Sequence, residues 1–427
     1  MRIAYVCADP GIPVLGSKGA SIHVRAIVKE LMGLGHEVTL VAARSGDDTT
    51  IAAPILSLAD QITEDFHGED AKTARARALD AAVAPLLDEI APDLVYERYS
   101  LWGRTATAWA RRHSVPSILE VNAPLPLEAA QHRGLTDVEG ATALATQAIA
   151  AATSVICVSD PVAQWARSLL PENGSGHVHV LANGVDPTRI HPSPGSSTTS
   201  LPGDGFSPDP SLDAAGGISP CSETSEADVP AAAETGAVFT VGFVGTLRPW
   251  HGVEILVDAM GELVATDPTW RLLVVGGGPI QPELQAQAAD VCLADKAEWT
   301  GAVPEPGVLA HLHRMDVAVA PYPPVENSYF SPLKLYEYLA AGLPVVASAV
   351  GQIPQALDGG RLGVLVEAGD PHALAEALRQ LRADPARREQ LSRDGRAEIL
   401  ARHTWRHVAE RTLAACAEDA AARRMAA

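Results

Sequence analysis

The chain has 427 residues, 47% hydrophobic and 4% aromatic, with 32 basic against 52 acidic side chains for a formal charge of -20. At roughly 100 to 200 residues per domain this length holds two or three domains with full cores, which excludes a disordered chain and a miniprotein. The acidic balance disfavours nucleic acid, whose phosphates call for a clustered basic face. Cys7, Cys157, Cys221, Cys292 and Cys416 are scattered and never form a CxxC pair, so neither a disulfide framework nor a zinc site is indicated.

No long apolar signal core opens the sequence, and no run of about 18 apolar residues interrupts it. A cytoplasmic protein, at most peripheral to a membrane, is expected. Over residues 1–190 the short apolar runs IAYVCA, EVTLVAA, DLVYER, SILEV, SVICVS and HVHVLA alternate with helical stretches. This is the signature of a mostly parallel sheet covered by helices. The first helix is expected over 20–34, stopped by Gly35. The loop before it places Gly11, Gly16, Lys18 and Gly19 where a ligand can approach the backbone, although no GxGxxG spacing fits.

Residues 191–236 form a segment of different composition, rich in Ser, Pro and Gly. Between 192 and 236 there are seven acidic residues and no Lys or Arg. Such a segment buries too little apolar surface to offset its ordering entropy, so a flexible acidic insert is expected. A second alternation fills residues 237–400 through FTVGFVG, WRLLVVGGG, AEWTG, DVAVAPY, LPVVAS and GVLVE, and an alanine-rich terminal helix is expected over 401–427. Two doubly wound α/β sheets in tandem are the economical reading.

The segment YFSPLKLYEYLAAGLPVVAS is the richest in chemistry. Ser331 and Pro332 make a helix start, with serine as N-cap and proline at the first helical position. The helix N-terminus aims backbone N–H groups at the crevice where open α/β sheets bind ligands, an anion site to which Lys334 adds a full charge. Glu337, one turn on, is placed to accept hydrogen bonds from the vicinal hydroxyls of a ribose; the alternative is a surface Lys-Glu pair. In VGFVGTLRPWHGVE a strand ends at Gly245 and a helix begins near Gly252, with Arg248 and His251 in the loop between them. An arginine there would grip a diphosphate with two parallel N–H bonds. Gly276, Gly277 and Gly278 read as a strand-to-helix turn.

Together these segments, with YERYSLWG, LEVNAPLPLE, LANGVD and the GGGP turn, resemble the GT-B glycosyltransferases, specifically the large retaining family 4 of nucleotide-sugar-dependent enzymes. The resemblance implies two Rossmann-like domains facing each other across a cleft, acceptor on the N-terminal one and donor on the C-terminal one. It implies a nucleotide-sugar donor, a UDP- or GDP-type sugar, as substrate; since the sequence has no HExxH and no DxD-type motif in a suitable loop, no metal or further cofactor is expected. Glu337 matches the second glutamate of the family's E-x7-E motif; the first falls on Tyr329, with Glu326 nearby as a substitute. Phe330, Ser331 and Leu333 join Gly16, Gly19, Gly245 and His251 in the implied donor site. Where the family carries an arginine and a lysine for the diphosphate, this chain has Thr246 and His251, so Arg248 is the candidate replacement and Lys334 its companion. Near the reacting sugar, where many members carry a histidine, stands Asn122 with Glu120 beside it. Glu120 reads equally as a structural carboxylate or a functional one, and His23 as a helix-surface or cleft-lining residue in preference to a proton carrier. The alternatives are a nucleotide-sugar epimerase of the same fold and a catalytically silent nucleotide-sugar-binding subunit.

Overall fold

The computed structural model describes residues 1–16, 19–46, 51–68, 70–171, 174–193, 237–324, 331 and 333–426, so the expected acidic insert lies outside the described residues from 194 onward. The first lobe is a parallel sheet of β1 (Arg2–Cys7), β2 (Glu37–Ala42), β3 (Ile55–Ser57), β4 (Leu94–Arg98), β5 (Ser117–Val121), β6 (Ser154–Cys157) and β7 (Val178–Val180) in the order β3-β2-β1-β4-β5-β6-β7. The second lobe repeats the plan with β8 (Phe239–Val244), β9 (Trp270–Val275), β10 (Ala297–Trp299), β11 (Val317–Ala320), β12 (Val345–Ser348) and β13 (Val364–Val366), ordered β10-β9-β8-β11-β12-β13.

β4, β5 and β6 are buried along their whole lengths, as parallel strands covered on both faces must be. The helix Gly19–Gly33 turns His23, Val24, Ile27, Val28 and Leu31 inward at helical spacing, and Gly35 follows it at φ 83°. β3 was not expected. It is a half-buried strand of three residues, too short for its pattern to stand out.

The terminal helix runs Trp405–Ala426, and the helix before it Pro385–Arg402, so the expected boundary at 400–401 falls inside a helix. The break sits at His403 and Thr404 because the backbone there pairs with the interlobe segment: Val185 N–H donates to His403 O at 2.9 Å and Trp405 N–H to Val185 O at 3.2 Å. Trp405, Ala409 and Cys416 then enter the first lobe's core beside Ile3, Tyr5 and Cys7. The C-terminus therefore packs on the lobe where the chain began. The two lobes also meet at Leu333, which packs against that same core.

Candidate active site between the lobes

β8 and β11 are neighbours in the second sheet, and the loops at their C-terminal ends build the site. The helix Leu333–Ala340 follows β11 and carries Lys334 in its first turn. Its Nζ lies 4.3 Å from the centre of the Phe243 ring and 5.0 Å from that of Tyr322, within cation–π range of both. The ammonium is sealed from solvent, and among the described residues it has no hydrogen-bond partner. Burial pushes its pKa down to about 7, with Glu337 pulling the other way. Beside it Gly245 adopts φ 150°, and a Cβ there would stand 3.2 Å from Nζ. The loop of Gly276 closes on the same spot: its own Cβ would meet Gly245 O at 2.1 Å. Glycine at these turns lets the two loops nest against the ammonium.

His251 is half-buried next to this charge. Its Nδ1–H donates to Thr246 O, since a carbonyl only accepts, which leaves Nε2 as an acceptor. Burial first, then the charge on Lys334, pushes its pKa down to about 4. Arg248 is exposed, its guanidinium 5.6 Å from the centre of the Trp250 ring. The structure therefore places His251 with Lys334 and turns Arg248 to solvent over Trp250.

Glu337 lies in the same helix as Lys334. Burial raises its pKa, Arg189 opposes that, Glu305 adds to it, and Lys334 opposes it again. Arg189 Nη2 stands 3.7 Å from Glu337 Oε1, while Arg189 Nη1 pairs with Glu305 Oε1. The other oxygen of Glu305 accepts from Arg25 Nη2 at 2.6 Å, and Arg25 belongs to the first-lobe helix Gly19–Gly33. A line of alternating charge thus crosses between the lobes and ends at Glu337.

On the first lobe, Glu120 is 2% exposed at the end of β5. Oε2 accepts from Tyr96 Oη at 2.8 Å and meets His23 Nε2 at 2.9 Å; Oε1 accepts from Arg98 Nη1 at 2.7 Å and Asn122 Nδ2 at 2.6 Å. Burial works against its charge, but His23, Arg98 and Asn122 outweigh it and hold the carboxyl well below the usual range. A carboxylate so enclosed does not reach a sugar. It holds Asn122, and because it only accepts, it fixes the asparagine NH₂ toward itself and Oδ1 away. His23 is a buried partner in this network, with its ring edge-on to Trp405.

Ser331, expected as an N-cap, uses its Oγ to accept from Asn183 N–H at 3.3 Å, tying the helix entry to the interlobe segment; the helix starts at Leu333. Gly16 precedes the undescribed Ser17 and Lys18, and Gly19 opens the first helix. Glu326, Tyr329, Phe330 and Pro332 lie outside the described residues. Among the described residues no group of three His, Cys, Asp or Glu gathers to hold a metal, and no helix is long and apolar enough to cross a membrane. Sequence reasoning missed Phe243, Tyr322, Arg189, Glu305 and Arg25. The two aromatics had a signal, since each stands near the C-terminal end of a strand. The ion pairs had none, because their members are remote in sequence.

The pattern of Glycosyltransferase Family 4 matches residues 17–189, and that of Glycosyl transferases group 1 matches residues 238–384. A D-inositol 3-phosphate glycosyltransferase from Thermomonospora curvata is 36% identical over 159 residues, which is 35% of this chain and 36% of that protein. A glycogen synthase from Mycobacterium tuberculosis is 26% identical over 441 residues, covering 96% of this chain and 93% of that one. The chain thus spans about a third of the first relative and most of the second. Among solved structures, the Anabaena protein HepE in complex with UDP and glucose superposes with a TM-score of 0.66 at 17% identity, covering 98% of this chain and 100% of that one. With the two patterns lying in order on two Rossmann-like lobes, the chain belongs to the GT-B glycosyltransferases of the family 4 type.

Proposed function

We propose that the protein transfers a sugar from a UDP- or GDP-type nucleotide sugar to a hydroxyl acceptor, with retention and without a metal at the leaving group. The observation that carries this reading is the Lys334 ammonium, sealed over Phe243 and Tyr322 with no acceptor among the described residues. A buried cation without a partner is costly, and an arriving diphosphate supplies the missing charge and acceptors. HepE, bound to UDP and glucose on the same fold, supports that choice of ligand.

In the reaction the bond between the anomeric carbon and the phosphate oxygen breaks, and its electron pair goes to the diphosphate. The acceptor oxygen bonds to the anomeric carbon from the same face, and its proton passes to the departing phosphate oxygen. Negative charge grows on the diphosphate throughout, so a fixed cation there lowers the barrier most. Glu337 would take the ribose hydroxyls, and Asn122 Oδ1, turned away from Glu120, would accept from a sugar hydroxyl.

A thermal-shift series with UDP-, GDP-, ADP- and TDP-sugars tests the donor class, since a ligand at 100 times its dissociation constant stabilises by about 2.7 kcal/mol. One nucleotide class should raise the melting temperature and be hydrolysed slowly without acceptor, in EDTA as well as in buffer. No shift with any of the four overturns the reading, and tight binding without turnover makes the chain a silent binding subunit.

A further inference from the structure

Glu305 is held by two arginines from different parts of the chain, Arg25 on one oxygen and Arg189 on the other. Arg189 has a second nitrogen, and it faces Glu337. Each of the four side chains is partly buried, between 15% and 29% exposed. The distance from Arg189 to Glu337, 3.7 Å, is that of an ion pair but too long for a hydrogen bond. Arg189 therefore supplies charge to Glu337 without occupying its lone pairs. A ribose diol needs those lone pairs, because its two hydroxyls donate and an ionised carboxylate accepts both.

We propose that Arg189 is a positioning residue for the donor, holding Glu337 ionised and aimed at the ribose while Glu305, pinned by Arg25 of the first lobe, holds Arg189. The proposal rests on the reading that Glu337 takes the ribose of a nucleotide sugar. Its physical basis is the arrangement of like charges. Without Arg189, Glu305 and Glu337 would face one another as two anions, and one of them would take up a proton. Among the described residues the charged groups facing Glu337 are Arg189, Glu305 and Lys334; burial and Glu305 raise its pKa, and the two cations lower it. Loss of Arg189 moves that pKa further up, so the carboxylate needed by the diol is lost first at low pH.

The test is calorimetric titration of the full-length protein with UDP and GDP and with their 2′-deoxy forms, from about pH 6 to about pH 8.5, a window spanning the upward drift of a carboxyl held by burial. Wild type is compared with Arg189→Ala, Arg189→Lys and Glu337→Gln, each checked for an unchanged melting temperature. Arg189→Ala should weaken the ribonucleotide roughly two- to fivefold at about pH 6, the range of a partly exposed ion pair. The ratio to wild type should shrink as pH rises, Arg189→Lys should restore most of the affinity, and the 2′-deoxy forms should show little difference. Taking the ratio cancels the titration of the phosphates, which both proteins share, and the 2′-deoxy forms separate the ribose contact from the titration of Lys334, which is coupled to Glu337. If Glu337→Gln weakens binding while Arg189→Ala matches wild type at every pH, the positioning role is refuted and the ribose reading stands. If Glu337→Gln changes nothing, or neither nucleotide binds, the ribose reading falls and takes the proposal with it. An Arg189→Ala loss that is equal at all pH values and equal for the 2′-deoxy forms marks a merely structural arginine and also overturns it.

Discussion

Glu120 and Lys334 are each a buried charge in the floor of one lobe, and their surroundings are opposites. Four groups, His23, Tyr96, Arg98 and Asn122, converge on the Glu120 carboxylate, and its pKa falls. Among the described residues no acceptor reaches the Lys334 ammonium, which lies over two ring faces with Glu337 acting on it from its own helix, and its pKa falls too, toward the neutral form. For an acid a lowered pKa records satisfaction of the charge; for a base it records want of a partner. The first lobe's charge is finished within the protein, and the second lobe's is completed only by a ligand. Stability and function should therefore separate at these two positions.

The largest effect is expected at Glu120. Replacing it with alanine leaves Arg98 buried without its counter-ion and Tyr96 without an acceptor, so unfolding free energy should drop by about 3 to 5 kcal/mol, measured by denaturant titration. The pH sign follows from the depressed native pKa. The stabilisation is fully present above the ordinary carboxyl value of 4.5 and is lost as pH falls toward the native one. Wild-type stability from Glu120→Ala at neutral pH would show that the network is not what holds this end of β5.

Lys334→Ala should behave in reverse. Transfer should slow by a transition-state loss of about 2 to 4 kcal/mol, judged from comparable oxyanion contacts, while the ligand-free melting temperature holds or rises because an unpartnered buried ammonium is gone. The same logic predicts a proton. The native pKa of about 7 lies below the ordinary value of 10.5, so the penalty of the charged form is present below pH 7 and fades as pH rises between them. A diphosphate restores the charge. Nucleotide binding at about pH 8 should then take up as much as about one proton per site, seen as a difference in binding enthalpy between buffers of unlike ionisation heat. Binding without proton uptake would place the phosphates away from Lys334.

How much of this was legible beforehand differs between the lobes for a physical reason. The strands announced themselves through apolar runs, except β3, whose three residues give no pattern. Lys334 stood out because a lysine in the first turn of a helix after a strand is an anion site by local geometry alone. Glu337 followed from its spacing to Lys334. Glu120 did not resolve, because a carboxylate at a strand end reads the same whether it faces a cleft or four donors. Arg189 and Glu305 were invisible: long-range ion pairs have no period, and only the fold brings an arginine of the interlobe segment beside a glutamate that follows β10. Ser331 has a second task that local rules do not show, since its hydroxyl accepts from Asn183 across the chain.

Arg248 sharpens the comparison last and with the smallest effect. The sequence paired it with Lys334, yet it lies over Trp250, itself 50% exposed, and remains in water. An exposed cation–π contact is worth about 0.5 to 1 kcal/mol, so Arg248→Ala should change unfolding by less than about 1 kcal/mol. To grip a diphosphate the guanidinium must give up solvent that Lys334 never had, so its net contribution should be smaller, about 1 to 2 kcal/mol. Since a solvated side chain can engage donor and transition state alike, the loss should fall mainly on KM and leave kcat nearly unchanged. Steady-state kinetics beside Lys334→Ala decide the matter. A fall in kcat as deep as that of Lys334→Ala would mean the loop folds over the leaving group before the bond breaks, and the division between a lysine already in place and a recruited arginine would disappear.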